Sequence, residues 1–236
     1  MTAVVHPDDV APHVVEGAEV RTTFDASNGC DRLEQAVTVI PVGRVELQPL
    51  ERGQAVLYVV SGRGTLELDG TPHELEPDAG VFIQAGERPT FDNPGPDDLV
   101  VVGVRTREAT DGAPADRKVV VRFGEQPEEE ASVERTFRYL INQDAGCADV
   151  TQFIGIVQPS KAPFHSHPYD EVGYVVEGTG VAHVDGEEIP LRAGSCFHLA
   201  PGQVHCIENS GPGAMRIMGV FHPSDSPASR NYPDNN

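Results

Sequence analysis

Histidine and carboxylate side chains are clustered in one short stretch in the second half of the chain. The stretch reads Phe-His-Ser-His-Pro-Tyr-Asp-Glu over residues 164–171, so a single residue separates His165 from His167. In an extended segment, residues two apart point to the same face, which aims both imidazoles in one direction. Glu171 can return to that face after a short bend near Pro168. Imidazole and carboxylate groups combined in this way are ligands for a first-row divalent metal.

A third imidazole comes later in the chain, because His205 follows Glu171 by 34 residues, after the turn Ala-Pro-Gly at 200–202. Three imidazoles and one carboxylate leave one or two coordination positions open for substrate, water or dioxygen. Asp170 is an alternative to Glu171, but the spacing favours Glu171. We therefore predict one divalent transition metal, with iron, manganese or nickel favoured and zinc or cobalt as alternatives. The predicted metal ligands are His165, His167, Glu171 and His205.

The elements that would position these residues belong to an internal repeat. Tyr-Val-Val-Ser-Gly-Arg-Gly at 58–64 matches Tyr-Val-Val-Glu-Gly-Thr-Gly at 174–180, and Asn-x-Gly-Pro at 93–96 matches Asn-x-Gly-Pro at 209–212. Both matches have an offset of 116 residues. The chain is therefore predicted to contain two homologous units.

The repeat divides the chain into five segments, of which three lie outside the units. The linker is rich in acids, Pro and Gly, with one candidate strand at 118–123, and the tail is extended or disordered. The predicted segments are an N-terminal arm (1–17), a first unit (18–106), a linker (107–132), a second unit (133–222) and a C-terminal tail (223–236).

Short apolar runs between glycine turns indicate β structure in both units. Residues 172–176 and 181–184 are Val-rich runs on either side of Glu-Gly-Thr-Gly at 177–180, where two glycines allow a tight hairpin. No long stretch keeps a 3.6-residue period, so few or no helices are expected. About eight short strands in each unit favour an antiparallel barrel or jelly roll.

The first unit is a control for the metal hypothesis. The units share their glycines, but the three histidines occur only in the second unit, so the fold itself does not require them. This contrast favours a metal-binding role over a packing role. The residues of the first unit that align with the four predicted ligands are Pro49, Glu51, Ala55 and Pro89.

The second unit resembles the cupin superfamily. Its first motif, H-x-H-x3-E-x6-G, runs from His165 to Gly178, and its second, G-x5-A-x-G-x2-H-x3-N, runs from Gly194 to Asn209. Pro159 and Ala200 depart from the family's Gly and Pro, both at scaffold positions. The resemblance implies that the three histidines and Glu171 bind the metal. It also implies an all-β chain of two tandem cupin barrels (double-stranded β-helices), a bicupin with a degenerate first barrel.

Composition limits the partners and the location. Asp and Glu number 37 against 17 Lys and Arg, which gives a formal net charge of −20. Such a surface repels phosphate backbones and anionic membranes, so neither a nucleic acid nor a membrane is an expected partner. The first twenty residues lack the apolar run of a secretory signal. We expect a cytoplasmic protein that acts on a small molecule, and homodimerisation is compatible with the sequence.

The resemblance and the ligand set together favour a metal-dependent enzyme that acts on a small organic substrate. A dioxygenase is favoured, a non-redox lyase, isomerase, cyclase or hydrolase is the alternative, and a non-catalytic small-molecule-binding bicupin is the second alternative. Glu171 and Tyr169 are the predicted catalytic residues. The predicted substrate pocket comprises Phe153, Phe164, His198 and Gln152.

Overall fold

The computed structural model describes residues 3–106 and 116–233. Parts of the predicted arm, linker and tail (residues 1–2, 107–115 and 234–236) lie outside the described residues. Within the described ranges the chain forms strands and only four short 3₁₀ turns, so the prediction of an all-β fold with few helices is confirmed. In this part of the chain, no helix has the length and apolar character needed to cross a membrane. The 3₁₀ turns are Pro7–Asp9, Ala26–Asn28, Phe123–Glu125 and Gln143–Ala145.

The strands fall into two sets of eleven. The strands before residue 107 are β1 (Val4–Val5), β2 (His13–Val15), β3 (Ala18–Phe24), β4 (Leu33–Ile40), β5 (Gly43–Glu46), β6 (Gln54–Ser61), β7 (Gly64–Leu68), β8 (Thr71–Leu75), β9 (Ala79–Gln84), β10 (Pro89–Asn93) and β11 (Leu99–Thr106). The later strands are β12 (Val120–Arg122), β13 (Glu129–Ser132), β14 (Arg135–Ile141), β15 (Thr151–Val157), β16 (Ser160–Lys161), β17 (Asp170–Glu177), β18 (Thr179–Val184), β19 (Glu187–Arg192), β20 (Cys196–Leu199), β21 (His205–Asn209) and β22 (Met215–His222).

Each barrel consists of a seven-stranded and a four-stranded antiparallel sheet. In the N-terminal barrel the strand orders are β12-β9-β6-β11-β4-β3-β2 and β5-β10-β7-β8. In the C-terminal barrel they are β1-β20-β17-β22-β15-β14-β13 and β16-β21-β18-β19. The same strand order in both halves reflects the sequence repeat, and two sheets closed face to face form a jelly roll.

Each barrel gains an outer strand from a segment that was predicted to lie outside the two units. From the predicted N-terminal arm, β1 pairs with β20 of the C-terminal barrel, and from the predicted linker, β12 pairs with β9 of the N-terminal barrel. The acid-rich β13 also pairs with β14, so the C-terminal barrel begins before residue 133. The described parts of the predicted arm and linker therefore each contribute two short strands, which satisfy backbone groups at the edge of a neighbouring strand.

The described part of the C-terminal tail is an extended arm that lies against the C-terminal barrel. The backbone N–H groups of Ser166 and Asn231 each donate to the other residue's carbonyl, at 2.9 Å in both directions. The Thr151 hydroxyl lies 2.8 Å from the Ser224 hydroxyl and donates to the Asp225 carbonyl at 3.0 Å. The tail thereby crosses the barrel at the His-Ser-His segment.

The core has three main parts. The interior of each barrel is an apolar cluster, and a third cluster lies between the two seven-stranded sheets. In this third cluster Tyr58 and Val102 of the N-terminal barrel pack with Val172 and Met218 of the C-terminal barrel. The barrels are therefore joined through an apolar interface, which burial from water stabilises.

Two glycines make room for the rings inside the C-terminal barrel. Gly173 and Gly219 are register partners on β17 and β22. A Cβ on Gly173 would lie 2.0 Å from the ring of Phe197, and one on Gly219 would lie 2.4 Å from the ring of Phe153. Each ring therefore occupies the space that a side chain on the glycine would need.

We expect Gly173→Ala to lower the free energy of unfolding by about 1–3 kcal/mol, because overpacking forces the Phe197 ring to move. Urea denaturation measures this change. Gly213→Ala is the control, since a Cβ there meets no atom within 4 Å and should change stability by less than about 0.5 kcal/mol. Equal losses in the two variants would contradict the packing argument.

Candidate metal centre

Backbone pairing on both sides holds the His-Ser-His segment extended. The N–H of His165 donates to the carbonyl of His205 at 3.0 Å, and the N–H of His205 donates back at 2.8 Å. Ser166, between the two histidines, pairs instead with Asn231 of the tail. Because side chains alternate along extended backbone, His165 and His167 turn into the barrel and Ser166 turns out.

Three imidazoles converge inside the barrel. His165, His167 and His205 are all buried, and each offers a nitrogen that lies within 4.8 Å of the corresponding nitrogens of the other two. The centroids of the His165 and His205 rings are 4.6 Å apart, and those of the His165 and His167 rings are 4.9 Å apart. Such an arrangement could hold a metal ion.

Each imidazole is oriented by a backbone carbonyl. A carbonyl only accepts, so Nδ1 carries the proton and Nε2 keeps a free lone pair, as metal-ligating histidines require. The bonds run from Nδ1 of His165 to Pro163 O (2.9 Å), from Nδ1 of His167 to Ser229 O (2.7 Å) and from Nδ1 of His205 to Gln203 O (2.9 Å).

Burial keeps these imidazoles neutral. It lowers the pKa of His165 to about 3 and that of His167 to about 4, and it lowers the pKa of His205 as well. Neutral imidazoles at neutral pH have their lone pairs available for a metal. The donor set therefore fits a first-row divalent metal.

Glu171 lies at the edge of the imidazole group. Its Oε2 is 3.7 Å from Nε2 of His167, although the carboxylate falls outside the set whose ligand atoms all lie within 4.8 Å. Burial raises the pKa of Glu171 to about 7, and the positive charge of Arg230 acts in the opposite direction. The alternative ligand, Asp170, faces away from the imidazoles and lies 3.0 Å from Nε2 of His198.

A cavity of about 90 Å³ adjoins the imidazoles and Glu171. Most of its other lining side chains are apolar, and Glu171 is the only acid among the lining residues. Of the predicted pocket residues, Phe153 lines it. The lining residues are Ala131, Arg135, Thr136, Phe137, Phe153, Gly155, Val157, His165, His167, Tyr169, Glu171, Phe197, Leu199, His205, Ile207, Ile217, Phe221, Pro227 and Arg230.

The other three predicted pocket residues lie outside the cavity, because strand alternation turns each away from its inward-facing neighbours. Gln152 is fully buried between the barrels beside Gly80, and His198 bonds to Asp170 on the same outward face. Phe164 is 44% exposed, and its ring lies 6.0 Å from that of His183. Applying the alternation from His165 would have excluded Phe164 from the sequence alone.

Tyr169 lines the cavity, but its hydroxyl is directed at a ligand. The ring stacks on His167 (centroids 4.7 Å apart) and on Phe221 (4.2 Å), and the hydroxyl lies 3.0 Å from Nδ1 of His167. That nitrogen is across the imidazole ring from Nε2. This placement supports an orienting role for Tyr169 on His167, and the catalytic role stays a prediction.

Four residues that contact the site were missed by the sequence analysis. Arg135 and Phe137 line the cavity from β14, and their i, i+2 spacing places them on one face of the strand, which is a signal that could have identified them. Arg230 lines the cavity and Ser229 accepts from His167, both from the Pro- and Ser-rich tail. Nothing in the tail's local sequence indicates a docking position.

The fold and the site together define a protein of the cupin class. The family described as a cupin domain matches residues 36–105 and 153–221. These two matches cover more than half of the chain and lie in the two barrels. The chain belongs to the cupin family, and its two barrels make it a bicupin.

Solved bicupin-like structures share the fold along nearly the whole chain. YlbA from E. coli is 16% identical with a TM-score of 0.75 over 94% of this chain and 91% of that one. A putative glyoxylate-induced protein from Pseudomonas aeruginosa is 17% identical with a TM-score of 0.78 over 100% and 93%. Oxalate decarboxylase from Bacillus subtilis is 12% identical with a TM-score of 0.76 over 95% and 77%. At these identities the likeness shows the fold alone.

Curated relatives match shorter stretches. An oxalate-binding protein from Thermotoga maritima is 32% identical over 63 residues, which are 26% of this chain and 52% of that protein. The tetracenomycin polyketide synthase protein TcmJ from Streptomyces glaucescens is 37% identical over 60 residues, 25% and 40% of the respective lengths. The chain thus spans about half the length of the curated relatives it matches.

We expect Tyr169→Phe to weaken metal affinity by about tenfold, because partners that orient a ligating histidine typically contribute 10–100-fold and Ser229 still holds His167. Isothermal titration of the metal-free protein with Mn²⁺ measures this. Tyr139→Phe, which loses only a 3.5 Å contact with Ser226, is the control and should bind as the parent does. Unchanged affinity in Tyr169→Phe would refute the orienting role.

Proposed function

We propose that this bicupin is a metal-dependent enzyme whose three histidines and Glu171 hold one divalent metal that ligates a small organic substrate, and that the reaction is an oxygenation of the dioxygenase type. The observation that carries the proposal is the convergence of three neutral imidazoles, each with its Nδ1 tied to a carbonyl, at the wall of a buried cavity. Metal-ligating histidines almost always have such a partner, which fixes the tautomer and the orientation of the ring.

The donor set is suited to iron, manganese or nickel, with zinc or cobalt as alternatives. The residues that would hold the metal are His165, His167 and His205 through Nε2, and Glu171 through its carboxylate. When bound, such a metal supplies Lewis acidity and, where it is redox-active, reactivity towards dioxygen.

The chain's own contribution is a largely apolar cavity with one carboxylate on its wall. Phe153, Phe197 and Phe221 line it, and apolar walls of this kind strengthen electrostatic interactions beside them. Glu171 is the only carboxylate among the lining residues, so it is the group placed to take a proton from a bound substrate.

A non-redox reaction is the second candidate, as a lyase, isomerase, cyclase or hydrolase. The observation that favours it is the presence of Arg135 and Arg230 on the cavity wall, since cations beside a Lewis acid suit a substrate that bears a carboxylate. The similarity to an oxalate-binding protein, 32% identical over 63 residues, adds support. The name of that protein also supports a third candidate, small-molecule binding without catalysis.

The metal centre is tested by elemental analysis of the purified protein, reconstituted with each of the five metals in turn. We expect about one equivalent of a single metal, and we expect His205→Ala to lose it, because the remaining ligands no longer enclose the ion. His183→Ala is the matched control: His183 is buried but bonds to Glu208 outside the cavity. No metal in the parent protein, or equal loss in both variants, would overturn the proposal.

The reaction type is tested by screening small organic acids and phenols with the iron-loaded protein at an oxygen electrode. An oxygenase consumes dioxygen in step with substrate and stops when dioxygen is removed. Turnover that continues without dioxygen, and that survives replacement of iron by zinc, would replace oxygenation by the non-redox candidate. Ligand-induced thermal stabilisation with no product by mass spectrometry would leave the binding role.

A further inference from the structure

The C-terminal tail places a free guanidinium group at the metal centre. Arg230 lines the cavity, and within residues 3–106 and 116–233 its side chain has no hydrogen-bond or ion-pair partner. Its neighbours fix its position: Ser229 accepts from His167 at 2.7 Å, and Asn231 pairs with Ser166. The charge of Arg230 acts on Glu171 across the cavity, but no hydrogen bond or ion pair with a described residue occupies the guanidinium, which is therefore available to a ligand.

A second guanidinium faces the same cavity. Arg135 on β14 lines it and donates from Nη2 to the carbonyl of Ile207. Burial lowers the pKa of Arg135, and the positive charge of Arg230 lowers it further, so the two groups are close enough to repel one another. Like charges in one small cavity are stabilised when an anion lies between them.

The residues that line the cavity carry more positive than negative charge, although the protein is strongly acidic. Two arginines line it, and Glu171 is the only acid among its lining residues. Asp225, on the same tail, does not line the cavity; its carboxylate accepts from the Ser226 N–H at 2.7 Å and the Ser229 hydroxyl at 2.8 Å, and its negative charge acts on His167 and Tyr169. A divalent metal would add positive charge, so the cavity favours an anion as its ligand.

The size and walls of the cavity restrict this anion to a small organic one. About 90 Å³ holds roughly half a dozen water-sized groups. Phe137, Phe153 and Ile217 on its walls suit a short carbon skeleton better than a fully hydrated inorganic ion. The planar fork of an arginine matches the two oxygens of a carboxylate.

We infer that the cavity binds a small organic carboxylate, with one end of the molecule at the metal centre and its carboxylate held by Arg230 of the tail together with Arg135. This inference deepens the proposed function and rests on it, because metal and anion share one cavity. Arg230 is then the residue that selects the substrate for its charge.

The test is isothermal titration of the metal-loaded protein with oxalate and pyruvate, beside oxamide and methyl pyruvate as neutral counterparts and sulfate as an inorganic anion. We expect at least one of the two acids to bind, and its neutral counterpart to bind at least tenfold more weakly. Arg230→Gln should weaken binding of that acid by about 10–100-fold, since a charged hydrogen-bond partner is lost. The affinity of Arg230→Lys for that acid should lie between the affinities of the parent protein and of Arg230→Gln.

Arg88→Gln is the matched control, because Arg88 is exposed on the N-terminal barrel and should leave affinity unchanged. Thermal unfolding of Arg230→Gln checks that the fold is intact, as expected for a side chain without internal bonds. Failure of both acids to bind, equal binding of the neutral compounds, equal binding of sulfate, or full affinity in Arg230→Gln would each overturn the inference.

Metal content measured on the same samples separates the two proposals. If the parent protein holds no metal, the proposed function fails, and titration of the metal-free protein with the same acids still tests the arginine site. If metal is present and Arg230→Gln retains it but binds the acids as the parent does, the metal centre stands and the carboxylate site is refuted.

Discussion

The seven-stranded sheet of the C-terminal barrel is covered on both faces, and the placement of the functional side chains follows from that constraint. Along β17, Glu171 faces the cavity and Val175 faces the barrel interior, whereas Val172 and Tyr174 pack against the N-terminal barrel. A one-residue shift in register would move the carboxylate into the apolar interface and the apolar side chains into the cavity. Because both changes would cost free energy, the observed register is favoured, and it brings Glu171 to the imidazoles.

The N-terminal barrel supports this sheet from behind, although it lacks the ligands. Gln35 donates from Nε2 to the carbonyl of Gly173 at 3.2 Å, and Arg32 lies 3.8 Å from the Asp170 carboxylate, beside Glu171. In its own interior, Ala55 occupies the position equivalent to Glu171 and packs in an apolar cluster. A barrel without a site can therefore still determine the geometry of one, because the two share an interface.

The sequence was sufficient where the determining information is local. Two histidines at i, i+2 and a glutamate four residues later share a face under simple alternation, and recurring glycines reveal the second copy of the unit. The sequence was insufficient where contacts between segments far apart in the chain determine the position of a side chain. Gln152 and His198 are drawn to the barrel interface, and the position of Arg230 depends on the pairing of Asn231 with Ser166, which no local pattern encodes.

The candidate metal centre shows the same contrast between local contacts and contacts with a distant segment. The Nδ1 atoms of His165 and His205 bond to carbonyls two residues earlier in their own segments, Pro163 and Gln203, so the orienting contact of each ring is local. His167 instead donates to Ser229, 62 residues away on the tail. Because the residue after Ser229 presents its guanidinium to the cavity, docking of the tail orients the third ligand and delivers the cation together. In the proposed function, coordination of the metal and recognition of the anion would therefore both depend on this one short segment.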